Sequence, residues 1–590
     1  MTARRSPAAC PARSRATTDV PAIARLFDRA RSVRTLAVAG GSALYRAGDP
    51  PDAIFMVRAG AFGVFREGAM GRALVGVLRP GDVVGEFGLL AGTPRSATVV
   101  ALRDSEVAAM PGAGFLAAAR RSPDAMVEVA RLLVARSRSA GAGAGAGAVT
   151  PRVIGLAALD AGVDARRWAG LLAGAMRALG HDVAVLDASF LDRDPAWWSE
   201  AEARHDYLLC AAQAEEGAWA AACRRQADRM LLLADGDRPP PADCGLCASE
   251  PLQASGLVDL VLVQRGERPA GTAAWLDAVG PARHFHLVGG DCGPLARTLT
   301  GCAVALVLSG GGARAFAHVG AVDALRRAGV PIDSVCGTSM GGIVAAGLAA
   351  GWDGEELDRR MRAAFVATNP LDDVALPFVA MTRGRKVERR LAEHFGDVDI
   401  ADLPLPFFCM SADLATGEPV AHRRGPLATA LRASISLPGV LPPVAMGDRV
   451  LVDGGVLRNL PSEVMRATHD GPVVAVDVSQ AVGLTSADVE RPRPLGRWFW
   501  SGAWRRGPPI VSILMRSATM AAGPDLAASR AAADLYVMPE VGGIEIRNWR
   551  AYDRAVAAGR DAMGRALARL DAPVHLLRLR RLAAMAEGGM

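Results

Sequence analysis

Lysine is almost absent from this chain. Of 67 basic side chains only Lys386 is a lysine, so the positive charge is carried by arginine; with 65 glycines and abundant alanine, this reflects a GC-rich coding sequence before it reflects a function. The net charge of +6 and a pI near 9.0 permit an anionic partner such as a membrane surface without requiring one. Long apolar runs are missing too. Nowhere do about 18 apolar residues follow one another, which excludes an ordinary membrane-spanning helix and predicts a soluble or peripheral protein. The opening "MTARRSPAACPARSRATT" is basic but lacks the apolar core of a secretion signal. The nine cysteines are odd in number and lack disulfide-like spacing, so reduced thiols and a cytoplasmic location are expected. The lone C-x-x-C, Cys244 to Cys247, has neither a second pair nor a neighbouring histidine, and no metal site is expected from it.

What is present divides the chain. At 590 residues it is too long for one core, and about 150 residues per domain implies three or four. The run "AGAGAGAGA" cannot bury a core and reads as a linker. Before it, short apolar runs such as "AIFMVRAGAFGVF" alternate with Gly, Pro and Asp turns, and a helical pattern follows them. After it, "RVIGLAAL", "ARRWAGLLAGAMRALG" and "HDVAVLD" spell strand, helix, strand. The expected multidomain fold is therefore an N-terminal antiparallel β-roll with helices (20–139), a linker (140–150), a Rossmann-like α/β spacer (151–297), a second α/β domain (298–545) and a C-terminal helical segment (546–590). The spacer's first turn, "LAALDAGVDARRW", has neither a G-x-G-x-x-G nor a phosphate-loop lysine, so a structural or regulatory role is expected there. No helix-turn-helix pattern follows the roll, which argues against a transcription regulator and a nucleic-acid partner.

Two stretches in the second α/β domain carry chemistry. In "SGGGARAF", Gly310, Gly311 and Gly312 place consecutive backbone N–H groups ahead of a helix, where an oxyanion is stabilised. The same stretch satisfies a dinucleotide pattern, but the acidic residue a Rossmann site needs at the far end of the next strand is missing; Asp333 stands at its near end. In "CGTSMGG", Ser339 sits within Gly337-x-Ser339-x-Gly341 between a predicted strand and a helix, the setting of a nucleophile elbow. A base must accompany it. His318, about two turns into the helix after the Gly-rich turn, and His422, in a polar connection, are weak candidates. Asp453, ending a predicted strand in "DRVLVDGG", is the better one, because a carboxylate shielded from water has a raised pKa and accepts a serine proton.

"GGGARAFAHVG", "GTSMGG", "ASISLPGVLPPV" and "VDGGVLRNLP", spread over roughly residues 300–545, resemble the ordered motifs of patatin-like phospholipases. The resemblance implies a three-layer α/β/α hydrolase domain with a Ser–Asp dyad: Ser339 as nucleophile, Asp453 as base, and the amides of Gly310, Gly311 and Gly312 with Arg314 as oxyanion site. Ala315 departs from the family's frequent glycine. In the roll, "GDVVGEFGLLAGTPRSATVVA" resembles the phosphate-binding cassette of cyclic nucleotide-binding domains. It implies Arg95 as phosphate ligand and Glu86 as ribose ligand, with Gly85 and Ser96 beside them, and cyclic AMP or cyclic GMP as regulatory ligand. The alternative is a roll in which Glu86 and Arg95 pair only with each other. Together the two domains resemble bacterial relatives of neuropathy target esterase, so the implied substrate is a phospholipid or lysophospholipid, hydrolysed without a catalytic cofactor. Residues 491–509 gather Trp498, Phe499, Trp500 and Trp504 with five arginines, which suits a peripheral contact with the inner face of a membrane; the alternative is a lid or interdomain packing element that buries the same rings. A rival reading keeps the nucleotide response and makes the hydrolase domain a silent scaffold.

Overall fold

Strand-forming runs separated by Gly, Pro and Asp turns cannot make long elements, and the described residues of the N-terminal region accordingly fold as eight short strands. These are β1 (Arg34–Val38), β2 (Ala43–Tyr45), β3 (Ala53–Ala59), β4 (Phe62–Gly68), β5 (Gly71–Leu78), β6 (Val83–Val84), β7 (Thr98–Ala101) and β8 (Ser105–Pro111). They pair antiparallel in two sheets, β1-β8-β3-β6 and β2-β7-β4-β5, around buried Phe55, Val57, Phe62, Val99 and Val107. A short helix, α1 (Glu86–Ala91), connects β6 towards β7. The computed structural model describes residues 22–30, 32–68, 71–141, 151–193, 195–241, 258–266, 268–368, 371–375, 379–479 and 523–587. They fall into two compact units, Met1–Gly301 with Leu579–Met590, and Cys302–Arg578. Most of the Ala/Gly run, the C-x-x-C and the tryptophan-rich stretch 491–509 lie outside the described residues.

The first unit also holds β9 (Val153–Ala158), β10 (Val183–Leu186), β11 (Tyr207–Ala212), β12 (Arg229–Asp235), β13 (Val258–Gln264) and β14 (Arg283–Val288), all parallel, in the order β10-β11-β9-β12-β13-β14. Their near-continuous apolar sequences fit strands covered on both faces. Arg103, between β7 and β8, is buried and donates to Glu202 of this α/β region at 2.6 and 2.7 Å.

The second unit is built on β15 (Ala305–Leu308), β16 (Ser334–Thr338), β17 (Phe407–Asp413), β18 (Pro419–His422), β19 (Val444–Met446), β20 (Arg449–Asp453), β21 (Val473–Val476) and β22 (Leu535–Val537). The order is β19-β20-β17-β16-β15-β21-β22, with β18 beside β17. From β17 to β22 the strands are parallel; β18, β19 and β20 form an antiparallel margin. Alternation along β15 sends Leu306 and Leu308 to one face and Ala305 and Val307 to the other, and each face has its own helix-covered core. On the Leu306 face lie α2 (Ala317–Arg327), α3 (Met340–Ala349), α4 (Leu427–Ser434) and α5 (Tyr552–Ala568).

Helix α5 falls in the segment expected as a separate C-terminal helical piece, yet it belongs to this core. Gly320 of α2 and Gly559 of α5 allow it: a Cβ on Gly320 would lie 1.8 Å from the Val556 carbonyl oxygen, and one on Gly559 would lie 1.8 Å from that of Ala317. Gly320→Ala or Gly559→Ala should therefore cost about 1–3 kcal/mol in denaturant unfolding. Gly564→Ala, on the same helix but with open space around it, should be neutral or stabilise by about 0.5–1 kcal/mol.

Candidate active site

The turn from β16 into α3 is tight because the backbone of Gly337 packs on that of Gly341, and Gly341 packs on the Ser309 carbonyl; a Cβ at either glycine would come within 2.6 Å of main-chain atoms. Between them Ser339 adopts φ 55°, ψ −129°, the only positive φ at a non-glycine residue among the described residues. Such a conformation costs on the order of 1–3 kcal/mol and persists only where its surroundings enforce it. Here the Ser339 amide donates to Ser434 Oγ at 3.0 Å and its carbonyl accepts the Ile343 amide at 3.2 Å. The side chain then projects its Oγ to Asp453 Oδ2, donating at 2.6 Å across a separation of 114 residues.

Asp453 reaches this position through register. Thr338 pairs with Met410 between β16 and β17, and Ser411 pairs with Asp453 between β17 and β20. Asp453 therefore stands level with the residue after Thr338. Asp453 ends β20, as the sequence reading expects; β20 runs antiparallel to β17, and their cross-strand pair carries the carboxylate to the level of the nucleophile. The carboxyl group is buried, at 3% exposure. Burial pushes its pKa up to about 6, while hydrogen bonds from the Ser339 hydroxyl and from the Gly455 amide, the latter at 2.8 Å to Oδ1, pull the other way.

The histidines are engaged elsewhere. His318 is in the first turn of α2, not two turns in, because Gly312–Phe316 forms a 3-10 turn before the helix starts. Its Nε2 lies 2.8 Å from the Ser309 carbonyl oxygen, and burial lowers its pKa to about 4. His422 Nε2 meets Ser411 Oγ at 2.7 Å, and burial likewise lowers its pKa to about 4. The Ser339 hydroxyl donates to Asp453 and to no imidazole.

The Gly-rich turn abuts the nucleophile: a Cβ on Gly310 would come 3.0 Å from that of Ser339. The Gly310 amide donates to the Asn459 carbonyl at 3.3 Å, and Asn459 Nδ2 donates to the Gly310 carbonyl at the same distance. Gly312 has φ 56°, and any side chain there would strike the Ile546 carbonyl. The Arg314 side chain turns away to donate from Nε to the Ile544 carbonyl at 2.7 Å, and its desolvation weakens its hold on the proton. Of the four residues expected around an oxyanion, the Gly311 and Gly312 amides are the donors with no hydrogen bond among the described residues. Ser434 and Asn459 were not singled out from the sequence. They lie inside "ASISLPGVLPPV" and "VDGGVLRNLP", but nothing local in those stretches says which polar side chain turns towards the nucleophile.

In the roll, Glu86 and Arg95 are buried, Ser96 is exposed, and Gly85 stands at the start of α1. Arg95 donates to the Gly85 carbonyl at 2.8 Å and the Ala53 carbonyl at 2.6 Å, and lies 4.4 Å from the centre of the Tyr45 ring. Its carboxylate neighbour is Asp52 at 3.4 Å, so it is not simply paired with Glu86. Among the described residues no group of three or more His, Cys, Asp or Glu is placed to hold a metal ion, and no helix is long and apolar enough to cross a membrane.

Ser339 thus meets a buried Asp453 at the edge of a largely parallel sheet, beside a Gly-rich turn. Residues 306–466 match the family described as patatin-like phospholipase, and residues 35–122 match the cyclic nucleotide-binding domain. An uncharacterized NTE family protein of Mycobacterium tuberculosis is 33% identical over 582 residues, covering 93% of this chain and 95% of that protein. The chain belongs to the NTE family. Patatin-like phospholipase domain-containing protein 6 of Mus musculus is 30% identical over 75% of this chain and 38% of its own length. Neuropathy target esterase sws of Drosophila melanogaster is 28% identical over 74% of this chain and 35% of its own.

The raised pKa has a consequence for stability. A carboxyl group that holds its proton more tightly when folded favours the folded state fully below the unfolded value near 3.8, and loses that contribution as pH rises through about 6. Asp453→Asn carries no charge to bury, so its melting temperature relative to wild type should rise between pH 4.5 and pH 7.5; thermal unfolding at the two pH values measures it.

Proposed function

We propose that the protein is a serine lipid acyl hydrolase, a phospholipase or lysophospholipase, working through a Ser339–Asp453 dyad. The carrying observation is the 2.6 Å hydrogen bond from Ser339 Oγ to a carboxylate whose burial sets its pKa near 6. At neutral pH Asp453 is mostly ionised yet basic enough to take the serine proton, the compromise general-base catalysis requires. Ser339 Oγ attacks the acyl carbonyl carbon as its proton passes to Asp453 Oδ2. The carbonyl oxygen becomes an oxyanion facing the Gly311 and Gly312 amides, with Gly310 and Arg314 shaping the turn. The intermediate collapses, the alcohol of the lipid leaves with the proton held by Asp453, and the acyl group remains on Ser339. Water then gives a proton to Asp453 and attacks the acyl-enzyme, and the fatty acid departs as Ser339 recovers its proton. This chemistry calls for no metal or redox group. A silent scaffold is the weaker reading, since it assigns no role to a strained serine held on a buried carboxylate.

For the roll, Arg95 and Glu86 support a cyclic nucleotide, cyclic AMP or cyclic GMP, as regulatory ligand. The Arg95 Nε–H is buried without a partner, a donor left for a phosphate oxygen. We propose the division 20–139, 140–150, 151–297 and 298–545, with 546–590 joined to the last through the packing of α5 in its core, and a cytoplasmic protein meeting the inner membrane face through the aromatics and arginines of 491–509.

Fatty-acid release from a lysophospholipid panel by wild type, Ser339→Ala and Asp453→Asn tests the dyad. Both variants should lose at least about 1,000-fold in kcat/KM, and the wild-type rate should fall on the acid side below about pH 6; equal rates in all three would remove the mechanism. Calorimetric titration with cyclic AMP and cyclic GMP tests the roll. Binding should be lost in Arg95→Ala, and a heat signal unaltered by that change would refute the assignment.

A further inference from the structure

The nucleophile's strained backbone must be held by something, and one buried side chain does so. Ser434, the last residue of α4, is fully buried and its Oγ accepts the Ser339 amide at 3.0 Å. Cys409, on β17, stays a neutral thiol because burial pushes its pKa up to about 12. Two residues on from Ser434, the Ser436 carbonyl accepts the Asp453 amide at 2.9 Å, and the Ser436 hydroxyl is held to the Arg432 carbonyl at 2.7 Å. One short stretch after α4 thus grips both partners of the dyad by their backbones, Ser339 through a side chain and Asp453 through a carbonyl.

We propose that Ser434 is a positioning residue for acyl transfer, holding the Ser339 turn in the one conformation that keeps Oγ on Asp453. This rests on the dyad reading. Ser434 touches neither substrate nor the transferred proton; it acts through the Ser339 amide. When that acceptor is removed, the amide in the turn is left buried and unsatisfied, and the turn relaxes towards commoner backbone angles. Oγ then leaves Asp453, which loses one of the two hydrogen bonds that hold its proton affinity down. The chemical step slows, and the pH at which the base becomes protonated rises.

The test compares full-length wild type, Ser434→Ala, Ser434→Cys and Ser339→Ala, reading lysophospholipid hydrolysis against pH, labelling of Ser339 by a fluorophosphonate, and melting temperature. In Ser434→Ala, kcat and the labelling rate should fall together by about 10–100-fold, KM should stay within about twofold, and the acid limb should move up by about half a pH unit or more. Ser434→Cys keeps the volume but offers a poor acceptor, and should show the same pattern in weaker form; it decides the matter where Ser434→Ala does not fold. Wild-type kcat and an unmoved acid limb in the folded variants would overturn the proposal, as would a loss of kcat with no shift of the limb, the mark of a merely structural role. If Ser339→Ala keeps wild-type activity, the dyad reading itself fails; if Ser339→Ala is inactive while the Ser434 variants behave as wild type, only this inference does.

Discussion

Among the described residues Asp453 is a carboxylate buried with no cation beside it, which is costly, and the site depends on that cost. Asp453 is compensated by a serine hydroxyl and a glycine amide, both neutral donors, so its affinity for a proton stays high. A guanidinium in the same place would have lowered the pKa and left a poor base. The arginine nearest in sequence to the Gly-rich turn, Arg314, is instead tied to the Ile544 carbonyl. In a chain whose basic residues are nearly all arginine, keeping such groups away from Asp453 matters as much as what lies against it.

That carboxylate is placed by sheet register and by a bracket of main-chain bonds. The antiparallel margin puts Asp453 opposite Ser411, one step beyond the level of Thr338, and Thr338 Oγ1 donates to the Arg458 carbonyl at 2.9 Å, joining the nucleophile's strand to the segment after the base. Asn459 continues this segment to the Gly-rich turn through its paired bonds with Gly310. Nucleophile, base and oxyanion turn come from distant parts of the chain, yet each is bonded to at least one of the others through residues 434–459. The close packing of α2 on α5 supports the arrangement from behind, since α2 starts where the Gly-rich turn ends.

Ser339 was legible because the turn that presents it is so tight that only glycine fits on either side, and that constraint is written in adjacent letters. Asp453 was legible by a different route: the histidines were poorly placed and two glycines followed a strand-ending aspartate. The direction of β20 was not legible, because a short apolar run reads the same whether its neighbour is parallel or antiparallel. Ser434 and the direction of the Arg314 side chain were hidden for a related reason: each is decided by a partner about 95 or 230 residues away, and no local pattern encodes such a contact. The membership of α5 in the hydrolase core was equally invisible, since Gly559 reads as a weak spot in a helix until the helix it touches is known. In the roll, the types of Glu86 and Arg95 were legible, but the inward turn of Arg95 onto the Gly85 and Ala53 carbonyls was not.

The central claim is that Ser339 becomes acylated with Asp453 as its base. The most direct measurement is mass spectrometry of the full-length protein, acid-quenched during turnover of a lysophospholipid, followed by peptide mapping. The account predicts an added acyl mass on the peptide containing Ser339, present in wild type and absent in Asp453→Asn. Fatty acid released with no acyl adduct on Ser339, or with the adduct on another residue, would contradict it.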